Sequence, residues 1–293
     1  YLDMIVIGSD KNEYPAKVWR FENNGQFEKN CVVEIEYTVD NYKGKQQLNI
    51  TSIKKAPDEM IAEFVPTSEY DGKSVFAMLL NKVNDFQDQE LKDIVKSILL
   101  ERREKLEIYP AAYRLHHAIV GGLMLHTASI VEMAEKTCQV YPNIDRELLL
   151  SGAILHDVAK TFEMETDKTG LCTGYTVSGE LIGHLVKGAM MVDETAKKLG
   201  ITSEKVILLE HMIISHHELP EYGAAVRPKF LEAEILATLD ALDATIFEIN
   251  TATSKVEPGN FTDRQWALDS RKLYNHGLSS TEHTVNLGEI GER

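Results

Sequence analysis

Ten histidines occur in the 293-residue chain, and eight of them fall between His116 and His217. Imidazole nitrogen beside carboxylate oxygen suits divalent metals of intermediate softness. One such pair, His156-Asp157, follows directly on an apolar run from Leu148 to Leu155. A lone His-Asp dipeptide occurs often by chance; its weight here comes from the order His126, His156-Asp157, His184, His216-His217, Asp240. Seven such groups exceed what one four-coordinate ion with a bound water needs, and they suit two metals. One arrangement gives His126, His156, Asp157 and Asp240 to a first ion and His184, His216 and His217 to a second, with Asp157 as the bridge. Two neighbouring ions can activate water and stabilise a leaving oxygen without a dedicated side-chain base.

Other side chains could support that chemistry. Lys160, one turn after Asp157, could offset charge on a phosphate oxygen or be a solvated lysine. Asp243 lies three residues after Asp240, on nearly the same helix face, and could orient a histidine ligand. His211 is a candidate for a structural or supporting role. His116 and His117 stand at a helix start, where either could contact phosphate or cap the helix. Arg227 lies in a loop, as a substrate contact or a loop anchor.

These residues must be brought together, and helical bundles do this with inward-facing side chains from several helices. From Tyr109 onward the pattern is helical. One helix over His117–Val140 carries His126. Asp145 caps the next, carrying His156 and Asp157. Thr161–Thr176 alternates as a small hairpin insert. Ser178 caps a helix with His184, Ser203 caps one ending near His216-His217, and Phe230–Ile249 carries Asp240 and Asp243. Both His216 and His217 can reach one point only if their helix ends there, because adjacent helical residues point about 100° apart. Upstream, helices over Val75–Phe86 and Gln89–Lys105 follow a boundary near Pro66 and Asp71-Gly72. The front of the chain reads as strands: Leu2–Ile7, Ala16–Phe21, Val32–Asp40 with Val33, Ile35, Tyr37 and Val39 on one face, and Gln46–Ile53 with Leu48 and Ile50 inward, with a hairpin turn at Tyr42–Lys45. Short strands joined by turns suggest a small barrel or sandwich. In the polar tail, Trp266, Leu268 and Leu273 are expected to tie down part of the chain, and the last ten residues to fray.

The net charge of −15 argues against a generic basic nucleic-acid coat, although a cation cluster inverts the local field. The front is the less repulsive part: residues 1–62 hold 8 Lys and Arg against 10 Asp and Glu, a net of −2 that leaves −13 for the rest. Three scattered cysteines, Cys31, Cys138 and Cys172, fit a reduced, cytoplasmic compartment. No apolar run approaches a membrane span, so no membrane partner is expected.

The order of these groups resembles the HD superfamily of metal-dependent phosphohydrolases, through His156-Asp157 and the late Asp240 in Thr238-Leu239-Asp240-Ala241-Leu242-Asp243-Ala244. More specifically, the chain is similar to the YhaM-type 3′→5′ exoribonucleases of Gram-positive bacteria. The matching segments are Pro110-Ala111-Ala112; His116-His117 with Gly121-Gly122-Leu123 and His126-Thr127; Leu155–Lys160; Gly183-His184-Leu185; Ser215-His216-His217; and Val226-Arg227-Pro228. The Tyr42–Lys45 hairpin fits as well, so the resemblance covers nearly the whole chain. At Val158-Ala159 the chain departs from an expected Ile-Gly.

The resemblance implies a multi-domain α and β fold: an N-terminal OB-like β-barrel, truncated at its front, followed by an all-α HD-domain helical bundle. The expected divisions are an OB-like barrel over 1–56, a helical linker over 57–108, the HD domain over 109–250 and a tail over 251–293. It implies two divalent ions, with manganese expected. It also implies a single-stranded RNA substrate, with single-stranded DNA open as a second, degraded from the 3′ end to nucleoside 5′-monophosphates. OB surfaces bind single strands by aromatic stacking and a basic groove. Trp19, Phe21 and Tyr42 are the stacking candidates, with Trp19 and Tyr42 equally open to a role in the barrel core. Lys17, Arg20, Lys43, Lys45, Lys54 and Lys55 are the candidate phosphate contacts. Two other functions compete: an HD phosphohydrolase of a nucleotide or cyclic dinucleotide, and a non-catalytic RNA-binding protein.

Overall fold

The computed structural model describes residues 1–293 apart from 11, 23, 24, 26, 29, 30, 43, 44, 58, 59, 66, 113–118, 168, 169, 289 and 291–293, and apart from the side chains of 42, 45, 61 and 62. The chain divides into two units, Tyr1–Pro66 and Thr67–Arg293.

In the first unit, alternating apolar residues form four strands: β1 (Leu2–Ile7), β2 (Glu13–Val18), β3 (Val33–Tyr42) and β4 (Lys45–Lys55). A short helix, α1 (Ile61–Phe64), follows. The sheet order is β1-β2-β4-β3, with β2 and β4 parallel and the other pairs antiparallel. The second strand starts earlier than its apolar residues predict because pairing with β1 sets its register, Ile7 opposite Glu13 and Leu2 opposite Val18. The expected barrel is not seen: among the described residues the sheet is open, with β1 and β3 at its edges. A bulge opposite Glu36/Tyr37 keeps Ile53 on the same face as Leu48 and Ile50, since one extra residue restores the two-residue period. That face has a small buried core of Ala16, Val18, Leu48 and Ile50. Leu48 and Ile50 are buried as expected, whereas Tyr37 and Val39 on the apolar face of β3 are exposed; they line an open cavity of about 440 Å³ with Val33, Ile35 and Phe64.

The second unit is a helical bundle. It contains α2 (Gly72–Asn84), α3 (Gln89–Leu106), α4 (Gly122–Val140), α5 (Arg146–Leu155), α6 (Lys160–Glu163), a hairpin of β5 (Met164–Thr166) and β6 (Cys172–Tyr175), α7 (Val177–Leu199), α8 (Glu204–Ser215) and α9 (Leu231–Thr253). Apolar residues at helical spacing explain the packing. Val75, Phe76 and Leu79 of α2 and Leu91, Ile94, Val95, Ile98 and Leu99 of α3 are buried in one core with Leu123, Leu149, Met212 and Leu236. From α2 onward, the stretch expected as a linker is thus part of the bundle. Asp71, Asp88 and Asp145 cap α2, α3 and α5 by accepting hydrogen bonds from first-turn amides. Thr176, not Ser178, caps α7: its hydroxyl accepts from the Gly179 amide at 2.8 Å. Ser203 stands at the start of α8 without a side-chain capping bond.

The tail is more ordered than its composition predicts. Tyr70 Oη donates to the Val285 carbonyl at 2.8 Å, the Leu287 amide donates to Tyr70 Oη at 3.3 Å, and Leu287 is buried in the main core. Leu268 is buried as expected, but Trp266 is 76% exposed. Among the described residues, no helix is long and apolar enough to cross a membrane.

Candidate metal centre

Except for Asp240, which lies within α9, the candidate ligands sit near where a helix starts, ends or breaks, and the local sequence explains why. His126 lies in the second turn of α4, which starts after Gly121 in the left-handed region (φ 75°) rather than at His117; His117 lies outside the described residues. Helix α5 ends at Leu155, so His156 is its C-terminal cap and Asp157 falls in the turn beyond, instead of continuing the helix. Helix α5 comes close to α8 and α9 at Gly152: a Cβ there would lie 2.3 Å from the Met212 methyl group, which would have to move aside, and 3.2 Å from Leu236. Helix α7 is broken at Gly183 (φ 73°, ψ 166°). That left-handed conformation suits glycine, and it places both the His184 amide and Nδ1 on the Glu163 carboxylate, at 3.1 and 2.9 Å. Helix α8 ends at Ser215 with His216 as its cap, so His216 and His217 leave the helical path. Their ring centroids are 4.4 Å apart.

Two clusters result, His126/His156/Asp157 and His184/His216/His217, each with donor atoms within 4.8 Å of one another. In the first, His126 Nε2 lies 3.1 Å from Asp240 Oδ1 and 3.5 Å from Asp157 Oδ2, and 3.3 Å from His156 Nε2. His156 Nε2 lies 3.4 Å from Asp157 Oδ2. The other carboxylate oxygen, Asp157 Oδ1, faces the second cluster, 3.5 Å from His184 Nε2 and 3.7 Å from His216 Nε2. Asp157 therefore presents one oxygen to each cluster.

All five of the histidines are held by Nδ1. That atom lies 2.7 Å from Asp243 Oδ2 in His126, 2.8 Å from the Ala153 carbonyl in His156 and 2.9 Å from Glu163 in His184. In His216 it lies 2.7 Å from the Ile213 carbonyl, and in His217 2.9 Å from the Tyr222 carbonyl. A carbonyl or carboxylate here accepts the Nδ1 proton, which leaves the lone pair on Nε2 and fixes the ring. The buried atoms Asp157 Oδ1, His184 Nε2 and His216 Nε2 have no hydrogen-bond partner. Burying bare acceptors costs roughly 1–3 kcal/mol each, so this convergence has to be offset. A cation does so, and the spacings fit: two donors each about 2.1 Å from a common ion lie roughly 3–3.5 Å apart. The donor set is therefore able to hold divalent metal.

The electrostatics agree. Burial opposes charge on Asp157, yet the Lys160 ammonium, at 2.7 Å from Oδ2, and the neighbouring imidazoles hold its carboxyl well below the usual range. Burial also opposes charge on Asp240, and its contact with His126 outweighs that. Burial would lower the His126 pKa, but Asp240 and Asp243 push it up to about 10; these carboxylates draw positive charge to Nε2, where a binding cation displaces a proton. At His217, burial and then the adjacent His216 and His184 hold the pKa down to about 3, so its ring stays neutral at physiological pH.

The remaining candidates separate. Lys160 is buried against Asp157. Asp243 stands behind His126 and also accepts from Ser129 Oγ. His211 is outside the centre: its Nε2 accepts from the Lys229 amide and its ring packs on Phe230. Arg227 is exposed on the loop after Gly223. Glu163 and Ser129 were missed in the sequence. The signal that could have found them is the partner every histidine ligand requires behind its ring, with Ser129 three residues after His126 and Glu163 one turn beyond Lys160.

In the first unit, Trp19 is 62% exposed, donates from Nε1 to Asn49 Oδ1 and lies beneath the Lys17 ammonium, 4.8 Å from the ring centroid. Phe21 instead packs at the edge of the small sheet core and against Phe27. Arg20, Lys54 and Lys55 are exposed. Lys43 and the side chains of Tyr42 and Lys45 lie outside the described residues.

The HD domain model matches residues 123–245, which span the whole centre. The chain is 32% identical over 281 residues to the 3′-5′ exoribonuclease YhaM of Geobacillus sp. (strain WCH70), covering 94% of this chain and 86% of that protein. It is 30% identical to the protein of the same name from Bacillus pumilus (strain SAFR-032) and 31% identical to that of Listeria monocytogenes serotype 4b (strain CLIP80459), over 92% of this chain and 87% of each relative. No solved structure matches the chain. Identity at this level over nearly the full length, with an HD domain over the histidine–aspartate centre, shows that the chain belongs to the 3′-5′ exoribonuclease YhaM family.

Proposed function

We infer that the protein is a metal-dependent 3′→5′ exoribonuclease acting through this centre on single-stranded RNA and releasing nucleoside 5′-monophosphates. The observation that carries this is the meeting of three buried, unpartnered ligand atoms on Asp157 Oδ1, His184 and His216, in a chain whose relatives are named exoribonucleases.

His126, His156, Asp157 and Asp240 would hold one ion, and His184, His216 and His217 a second, with Asp157 shared. Manganese is the expected metal. When bound, such a pair of ions supplies an activated water and stabilises the attacking and leaving oxygens of an in-line displacement at phosphorus. The chain's own groups do the rest. Asp243 and Glu163 hold the His126 and His184 rings in the orientation and tautomer that direct Nε2 inward. Lys160 neutralises part of the Asp157 charge and offers an ammonium to a non-bridging phosphate oxygen. The front sheet serves as an OB-type strand-binding module, with Trp19 as a stacking platform and Lys17, Arg20, Lys54 and Lys55 as phosphate contacts.

The test is incubation of wild type and Asp157→Asn with 5′-labelled single-stranded RNA in manganese, magnesium or chelator. The expected outcome is stepwise shortening from the 3′ end in manganese, absent in chelator and in the variant. Intact RNA beside hydrolysis of a small nucleotide would overturn it.

A further inference from the structure

Beyond α9 the chain makes an antiparallel excursion that no part of the metal centre uses. The Gly259 amide donates to Asn275 O at 2.7 Å, Thr262 to Leu273 O at 2.9 Å and Gln265 to Arg271 O at 2.9 Å. Its base is tied to the end of α9, where Asn275 Nδ2 donates to Val256 O at 2.8 Å, and Leu268 at its tip is buried. This pinned hairpin nevertheless presents three aromatic rings to solvent: Phe261 is 61% exposed, Trp266 76% and Tyr274 49%. Phe261 and Tyr274 pair across the strands with centroids 4.9 Å apart. Trp266 opens the turn at the other end of the hairpin. An apolar pair held in solvent by an ordered element, as Phe261 and Tyr274 are, suits a contact surface.

The charge around them identifies the occupant. Residues 261–276 carry Arg264, Arg271 and Lys272 against Asp263 and Asp269, a net of +1 in a chain of −15. The two guanidinium groups are fixed at the turn: Arg264 donates to Ser270 O and Arg271 to Leu268 O, each at 3.0 Å. At the hairpin's base is a cleft of about 460 Å³ lined by Lys255, Glu257, Ser254, Ser279, Ser280 and Thr281. Hydroxyls with an ammonium suit ribose and phosphate, and aromatics interleaved with cations suit unpaired bases.

We propose that this hairpin and its basal cleft form an RNA-binding surface on the catalytic unit itself. Phe261, Tyr274 and Trp266 stack on bases, and Lys255 with the neighbouring hydroxyls holds the backbone. The proposal rests on the RNA substrate argued above.

Trp19 and Trp266 are the two tryptophans of the chain, so Trp19→Phe leaves Trp266 as the sole tryptophan reporter. Metal-loaded Trp19→Phe is titrated with a labelled phosphorothioate oligoadenylate that resists hydrolysis. Trp266 emission should quench saturably over the range in which the anisotropy of the label rises. Trp266→Ala should weaken binding about tenfold, and Trp266→Phe should restore most of it. Unquenched emission while anisotropy reports binding overturns the proposal. So does a Trp266→Ala protein with unchanged RNA affinity and a smaller mass in light scattering, which would make the hairpin a contact between copies. RNA shortening by wild type together with no Trp266 response in RNA-bound Trp19→Phe sinks the hairpin alone; wild type that neither binds nor shortens RNA sinks the exonuclease reading with it.

Discussion

In the half of the centre formed by His126, His156, Asp157 and Asp240, two imidazoles meet two carboxylates, and a third carboxylate, Asp243, stands behind His126. In the half formed by His184, His216 and His217, three imidazoles share one inward carboxylate, Asp157, whose far oxygen lies 3.5 Å from His184 and 3.7 Å from His216, while Glu163 stands behind His184. In the first half His126, His156 and Asp157 are buried and Asp240 is partly exposed; in the second His184 and His216 are buried, while His217 is partly exposed and held by a loop carbonyl. Two anionic donors in a buried setting attract a dication more strongly than one. On the ligand assignment proposed here, the first half keeps its ion tightly and the second exchanges it.

The largest effect is expected where the halves meet. Asp157→Asn removes the charge both share and should lower kcat about 10³-fold or more, with elemental analysis showing metal lost from both positions; loss from one half only would mean that Asp157 is no bridge. Next are the ligands unique to each half. His126→Ala should leave the protein unable to retain metal through dialysis. His217→Ala should retain one equivalent and regain part of its activity in millimolar manganese. Equal retention in the two variants would erase the distinction between the halves.

The groups behind the ligands rank below. Asp243→Asn and Glu163→Gln should each weaken metal affinity about 10–100-fold, the first in the tightly held equivalent and the second in the exchangeable one, as read by calorimetric titration. The smallest effect on metal is expected at Gly183→Ala, where φ 73° with ψ 166° is a conformation essentially restricted to glycine and a side chain costs about 1–3 kcal/mol. Thermal unfolding reads this as a modest fall in Tm, and calorimetry should find only the exchangeable equivalent weakened.

The same contrast explains what could be read from the sequence. Ligand types and their order along the chain are local facts, and His126, His156, Asp157, His184, His216, His217 and Asp240 were all visible as candidates. What holds them is not local. Glu163 reaches His184 across 21 residues and Asp243 reaches His126 across 117; such partners depend on which helices pack together. Helix boundaries fell to specific backbone geometry. Gly121 and Gly183 set left-handed conformations that hydrophobic periodicity does not register, so α4 was expected too early and α7 as a continuous helix. In the front unit, alternation located the strands, but the bulge in β4 and the parallel pairing of β2 with β4 are decided by tertiary contacts. The polar tail misled because Tyr70, more than two hundred residues away, supplies the hydrogen bonds that order Val285 and Leu287.

The bridge itself is open to one direct measurement. Wild type and Asp157→Asn are titrated with manganese(II) and followed by electron paramagnetic resonance beside elemental analysis. Two ions joined by the Asp157 carboxylate should give two equivalents per chain and a spin-coupled spectrum that Asp157→Asn abolishes. A stoichiometry of one, or two equivalents with the uncoupled six-line signal of isolated manganese, would contradict a shared centre.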